Sequence, residues 1–497
     1  MALDMSNLVL ALDIGSSAAR CSAYDPTGTY LAGSRRVQTY RNNQDGTLDL
    51  ELTTRSCEQA VDGALAAVRS AAAGHSIVGV GISVFALSWV GIDVHGQAVT
   101  PLYSYACRHG AQAAGRLRAR LQETRLADQI QAASGVPVHT AYAPALLCGI
   151  HRAEPALWAR VRWWQTLGAY LLARWFGQAP APVSTCEAGW TGLEDRTTGS
   201  WLSLWLEHLP LTAEQLPPLQ DYAQGLQGLQ QPWTDRWPEL ADVPFFLAVG
   251  DGAAANIGSG ALDNHALAVT IGTSAAVRVL VPDIPMGTAP ATPAGLWCYR
   301  IDETRHLLGG AVTDGGNIVR WLTDMLARCR SDLEKAAAAL APDAHGLTLL
   351  PFLHGERSPG WADDAAMTIH GITAETRPGH LLRAGMEAVA FRLVLIARLL
   401  EPHLQPDAVV LASGGALVRS RTWQQIVADL FGREVRLVQE TEVTSRGAAI
   451  LAWEALGQTQ ALQRALPVRD VVHPTPRAAP LYAAALQRHE DLYAKLV

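Results

Sequence analysis

Leu10-Ala11-Leu12-Asp13-Ile14-Gly15-Ser16-Ser17-Ala18-Ala19, near the start of the chain, returns in altered form as Leu267-Ala268-Val269-Thr270-Ile271-Gly272-Thr273-Ser274-Ala275-Ala276. Each copy is an apolar run, a glycine, two hydroxyl residues and a second apolar run. This pattern predicts a β-hairpin with an open, hydroxyl-rich tip. Glycine lets the backbone approach an anion closely. Successive N–H groups in a turn make a concave anion site, and the hydroxyls add donors. Two such hairpins facing each other would grip a polyphosphate from both sides. One copy alone reads rather as an ordinary hairpin with small turn residues. The repetition, with one copy heading each half of the chain, is what points to a ligand.

The copies differ where the first has Asp13 and the second has Thr270. A carboxylate beside a triphosphate repels it unless a cation lies between. Asp13 therefore reads as a Mg²⁺-side residue, direct or through water. The structural alternative is a strand-end Asp in a turn hydrogen bond.

Working outward, residues 77–93 (IVGVGISVFALSWVGID) read as strand, turn, strand. Helices are expected at 57–73, 115–131 and 156–175 in the first half. In the second half they are expected at 315–329, 380–400, 421–430, 445–456 and 481–496. Mixed strands and helices in both halves predict an α/β class. Residues 180–244 are rich in Trp, Pro, Gln and Leu and show weak periodicity. They read as an insertion that covers a site or forms an interface, or as structural filling. A new strand, turn and helix begin at Pro244, which places the domain boundary near 250–260, with domains 1–251 and 252–497.

Gly250-Asp251-Gly252 puts an unobstructed carboxylate at the C-terminal end of the apolar run 245–249. Ligands bind at such strand ends in α/β sheets. A carboxylate there can take the proton of an attacking hydroxyl, while positioning and charge stabilisation carry most of a phosphoryl transfer. Asp is also a common helix N-cap, and the two roles can coexist. Two more glycine clusters stand at strand–helix junctions: 309–317, ahead of Arg320, and Ser413-Gly414-Gly415-Ala416. Neither ends in the Gly-Lys-Ser/Thr of a P-loop. The lack of Gly-x-Gly-x-x-Gly after the first strand argues against a dinucleotide-binding dehydrogenase.

Bulk properties narrow the class. The 497 residues suffice for two domains. With 49% hydrophobic and 17% charged residues, the composition is globular. A net charge of -7 argues against nucleic-acid or anionic-membrane partners. The N-terminus has no basic segment and reads as a strand rather than a signal peptide. Seven scattered cysteines without a Cys-x-x-Cys pair fit reduced thiols in the cytoplasm.

Taken in order, LALDIGSSAAR, GISVFALSWVGID, VGDGAAANIGSG, LAVTIGTSAAVR, GGAVTDGGNIVRWL, PFLHGERSPGW and LASGGALVRSRTWQQIVADLFGREV resemble the FGGY carbohydrate kinase family, nearest its gluconokinase-like branch. The resemblance implies two ribonuclease-H-like domains of the actin/hexokinase-type ATPase kind, with ATP–Mg²⁺ and a sugar in the cleft between them. It implies that Asp251 is the base and that Asp13 lies near the metal. The tips Gly15-Ser16-Ser17 and Gly272-Thr273-Ser274 would meet phosphates. Gly316, Arg320, Gly415, Ala416 and Arg419 match positions lining the nucleotide. Ala86, Leu87 and Arg108 fall on the sugar side, and the family suggests a homodimer.

Departures cluster on that sugar side. Leu87 stands where related sequences often carry His, and Cys107 where they often carry Asp. Loss of polar partners disfavours a standard polyol, whose hydroxyls would be buried unpaired. Arg108 could pair with a carboxylate or hydroxyl, or be a surface residue. Two other classes stay open at this level: a non-catalytic or regulatory nucleotide-binding homologue, and an ATPase coupled to domain motion.

Overall fold

The computed structural model describes residues 6–71, 74–463 and 466–497. β1 (Asn7–Ile14) is buried on both faces from Leu8 onward, as a strand inside a covered sheet must be. It turns back antiparallel as β2 (Ala18–Tyr24), and β3 (Arg36–Thr39) continues the meander. After α1 (Leu50–Ala71), β4 (Ser76–Val84) returns parallel to β1. The two-residue β5 (Val249–Gly250) then joins parallel to β4, giving the order β5-β4-β1-β2-β3.

The second half builds the same pattern. β6 (Ala266–Ile271) and β7 (Ala275–Val281) form the second hairpin. β8 (Trp297–Arg300) and β9 (His306–Val312) extend it on one side. On the other side β10 (Val409–Ser413) and β11 (Val435–Val438) add in parallel, and β12 (Val468–Val472) closes the edge antiparallel. Each half thus contains three antiparallel strands joined to two parallel ones, with β8 and β12 added at the edges of the second sheet, the ribonuclease-H-like arrangement that the family resemblance implies.

Strand alternation assigns the faces. Leu10, Leu12 and Ile14 pack toward α1 in one core. Val9 and Ala11 pack toward Ala448, Ala449, Ala452 and Trp453. Those four belong to α5 (Val443–Ala455), which lies on β1 and β4 although it comes from the far end of the chain. Asp13 is the next residue on that face. α5 also packs against α2 (Asp251–Gly258). A side chain at Gly447 would run into the Ala254 carbonyl, so the two helices meet backbone to backbone. In the second half, α3 (Gly316–Met325) and α4 (Pro378–Leu400) cover the sheet, with α4 on β7 and β9.

Several local expectations are corrected. The two strands in 77–93 lie in different sheets: Ser88–Ile92 belongs to a four-stranded sheet with Thr47–Leu48, Leu102–Ser104 and Trp163–Thr166. The chain crosses over at Leu87, whose φ of 49° is left-handed. The helix expected at 156–175 is interrupted by that Trp163–Thr166 strand, which pairs with Ser88–Ile92. Thr166 then caps a true helix at Leu167–Phe176, its Oγ1 accepting the Ala169 N–H at 3.3 Å. The 115–131 helix is two helices, Ala111–Glu123 and Ala127–Ser134. The 57–73 helix begins earlier, at Leu50; its last two expected residues lie outside the described ones.

Candidate active site

Asp251 stands where β5 ends and α2 begins. Gly250 is the cap, so Asp251 is the first helical residue rather than the N-cap. A negative charge is favoured there by the helix dipole and the open N–H groups. Burial raises the Asp251 pKa above the ordinary carboxylate range. Arg278, the Gly252 N–H, Arg357 and the Ala86 N–H act in the opposite sense. The result is an ionisable carboxylate with raised proton affinity, the property a general base needs.

Two further groups connect Asp251 to the hairpins. Asp13, at the end of β1, is 5% exposed. It accepts a 2.9 Å hydrogen bond from Ser83 Oγ, and its Oδ2 lies 3.6 Å from Arg20 Nη1. Its pKa is raised to about 6, first by burial and further by the negative charge of Asp251; Arg20 and Ser83 oppose the shift. From the second hairpin comes Arg278, whose Nη1 donates to Thr270 Oγ1 at 3.5 Å.

Each tip is closed by a hydrogen bond within its own turn. Gly15 N–H donates to Ala18 O at 2.9 Å, and Tyr40 OH donates to Gly15 O at 2.5 Å. Ser16 is half-buried and Ser17 exposed. In the second tip Gly272 N–H donates to Ser274 O at 2.9 Å, with Thr273 and Ser274 exposed. The start of α3 is tied to this tip: Gly316 N–H donates to Gly272 O at 2.8 Å, and Asn317 N–H to Thr273 O at 3.2 Å. A Cβ at Gly316 would collide with Gly272 O and lie 2.9 Å from the Ala416 Cβ. The fold therefore brings Gly272, Gly316 and Ala416 to one place. Ala416 is buried in the short helix Gly415–Val418, with Gly415 at its start and Arg419 at its C-cap both exposed, and Arg320 is exposed on α3 with a hydrogen bond to Asn317.

Beside Asp251 lies a cavity of about 150 Å³. Ala86 lines it; Leu87 does not. Leu87 is 3% exposed and packs with Trp89, Tyr103 and Cys107 in an apolar cluster. The altered positions 87 and 107 thus keep each other's company away from the cavity. The Arg108 side chain lies outside the described residues. Sequence reasoning missed Arg278, Arg357 and the aromatic wall. Trp190 stacks on Tyr299 at 4.3 Å, Tyr299 on Trp297 at 4.6 Å, and the Tyr142 and Tyr299 hydroxyls are 2.7 Å apart. Glycines at 250 and 252 admit Trp190, since a Cβ at either would run into its ring. A signal for Arg278 was available: a lone charge inside the apolar strand AAVRVLV.

Profiles of two successive domains match this chain, the N-terminal domain of the FGGY family of carbohydrate kinases at residues 8–258 and its C-terminal domain at 267–456. The chain belongs to the FGGY family of carbohydrate kinases. It is a phosphotransferase of the type that uses ATP and a sugar hydroxyl. Among its FGGY relatives is a gluconokinase of Bacillus subtilis (strain 168), 22% identical, aligned over 97% of this chain and 93% of that one. A glycerol kinase of Aromatoleum aromaticum is 28% identical over 92% and 91%. The crystal structure of gluconate kinase from Lactobacillus acidophilus superposes with a TM-score of 0.88 at 23% identity, covering 99% of this chain and 98% of that one. This last likeness establishes the FGGY fold. Among the described residues no helix is long and apolar enough to cross a membrane.

Proposed function

We propose that the chain transfers the γ-phosphoryl group of Mg²⁺-bound ATP to a hydroxyl of a sugar, a gluconate-like sugar acid or a polyol held beside Asp251. The position of Asp251 carries this reading: a carboxylate at a helix start, between Asp13 of the first hairpin and Arg278 of the second, lining a cavity of about 150 Å³. Asp251 accepts the proton as the acceptor oxygen bonds to the γ-phosphorus. The bond from that phosphorus to the β–γ bridging oxygen breaks, and ADP leaves. Both glycine–hydroxyl tips hold phosphates, and Gly316, Arg320, Gly415, Ala416 and Arg419 line the nucleotide.

Asp13 suits a Mg²⁺-side role. It is a hard oxygen donor whose burial and proximity to Asp251 leave negative charge that a divalent cation would offset. When bound, Mg²⁺ neutralises charge on the transferring group. Residues 1–251 then supply the acceptor side and 252–497 the nucleotide side, with α5 crossing back onto the first sheet. The setting we propose is cytoplasmic, and the working assembly a homodimer. The non-catalytic alternative was motivated by Leu87 and Cys107, and those side chains pack in an apolar cluster away from the cavity.

The test is Asp251→Asn. Turnover with the best acceptor is expected to fall about 10²–10⁴-fold, while ATP affinity by calorimetry stays within a few-fold. Undiminished turnover would remove Asp251 as the base.

A further inference from the structure

The cavity beside Asp251 is lined by two guanidinium groups, Arg278 and Arg357, against a single carboxylate, Asp251 itself. Neither arginine has a hydrogen-bond partner for its buried Nε among the described residues. Arg278 makes one long hydrogen bond to Thr270 Oγ1, and its buried Nε has no partner among the described residues. Arg357 Nε is likewise buried and unpartnered, and that guanidinium lies 6.0 Å from the Tyr105 ring centroid. Both side chains are partly buried, and two like charges facing one partly dry cavity are unfavourable unless an anion joins them. Burial and the Arg357 charge both act to lower the Arg278 pKa, with Asp251 opposing.

We propose that Arg278 and Arg357 form a carboxylate clamp, and that the acceptor is therefore a small acyclic or cyclic sugar acid rather than a neutral polyol. The inference rests on the kinase reading above and selects within it. Guanidinium forks match the two oxygens of a carboxylate. The aromatic wall of Trp190, Tyr299 and Trp297 offers flat apolar surface to the C–H faces of such a chain. With the acid held by the arginines, the hydroxyl end is directed to Asp251. The same two arginines could instead face the γ-phosphate, because Ser274 and Ala275 of the second tip also line the cavity. That source of negative charge is separated by the test.

D-gluconate and D-glucitol differ only at C1, a carboxylate in one and a CH₂OH in the other. ADP release is measured with each for the wild-type chain, for Arg278→Gln and for Arg357→Gln. The wild type is expected to favour gluconate by about 100-fold in kcat/KM. Each substitution is expected to collapse that ratio about ten-fold or more, by reducing gluconate turnover much more than glucitol turnover. Equal losses on both acceptors would assign the arginines to the phosphate and overturn the clamp. A wild type that prefers glucitol would overturn it without any variant, so a poorly folded substitution does not shield the idea. ADP release with neither acceptor, nor with other sugars, polyols and sugar acids, would overturn the kinase reading itself, and the clamp with it.

Discussion

In the first hairpin Asp13 faces Arg20 across the strand pair, whereas in the second Thr270 faces Ala276. By sequence the partner of Ala276 is Ala19, not Arg20. The shift arises at the turns. Ile14 and Ala19 close the first turn and Ile271 and Ala275 the second, so the second loop is one residue shorter. Because side chains alternate with period two, that single residue moves every later side chain to the opposite face. Val277, the sequence counterpart of Arg20, is fully buried; Arg278, the counterpart of fully buried Cys21, instead shares a face with Thr270 and lines the cavity. Each hairpin thus contributes one arginine, but Arg20 serves Asp13 and Arg278 faces Asp251.

The neighbouring parallel strand repeats this contrast in hydrogen bonds. Ser83 on β4 donates to the Asp13 carboxylate, and Ser413 on β10 is 3.0 Å from the Thr270 hydroxyl. The scaffold is the same in both places, with a charge in one and a neutral pair in the other. Asymmetry of this kind suits a ligand with a cation on one side of its phosphates only.

The largest expected effect tests the charged member. Asp13→Asn should lower turnover about 10²–10³-fold. The same change should stabilise the nucleotide-free protein at pH 7.5 by about 1–3 kcal/mol. The sign follows from the direction of the shift. Asp13 is raised from 3.8 to about 6, so its favourable contribution is present below 3.8 and lost as pH rises through 6. The stability gain of the Asn variant should therefore shrink between pH 7 and pH 4, as chemical denaturation at each pH would report. A constant gain would mean that the Asp13 charge is not the cause.

A smaller effect tests the neutral member. Thr270→Asp copies the first hairpin into the second. The new carboxylate would sit beside Arg278 and, in the nucleotide placement proposed above, among phosphate-facing groups, so the KM for ATP should rise about ten-fold. An unchanged KM would show that the two tips are not functionally distinct.

The smallest concerns how the halves are held together. Asp363 accepts hydrogen bonds from Arg118 at 3.2 Å and Thr140 at 3.2 Å, and lies 2.6 Å from His139 Nε2. Two residues earlier in the same loop, Trp361 lines the cavity. Asp363→Ala should raise the acceptor KM a few-fold and leave kcat nearly unchanged, since partly exposed ion pairs are each worth about 1 kcal/mol or less. A large kcat loss would place Asp363 closer to the chemistry than its geometry suggests.

The hairpins, the strand-to-helix position of Asp251 and the α/β class were legible because each is a local pattern: a glycine turn, an apolar alternation, a break before a small-residue helix. The 156–175 helix misled for the same reason. Its periodicity was acceptable, but Trp163–Thr166 gains more by completing a sheet with Ser88–Ile92, a partner some seventy residues away. Leu87 misled differently. Its sequence position is next to the cavity residue Ala86, but a left-handed turn points it into another core.

By itself the sequence determined that two similar units follow one another, that each opens with a glycine–hydroxyl turn, and that carboxylates at 13 and 251 end strands. Only the tertiary structure decided that the second hairpin is a residue out of step with the first. It also decided that Trp190, Arg278, Tyr299 and Arg357 meet around one carboxylate, and that α5 returns to cover β1. The physical reason is range. Backbone preference and side-chain periodicity act within a few residues and are written locally. Register, convergence and burial depend on which distant surfaces exclude water together, and that is settled only when the whole chain has packed.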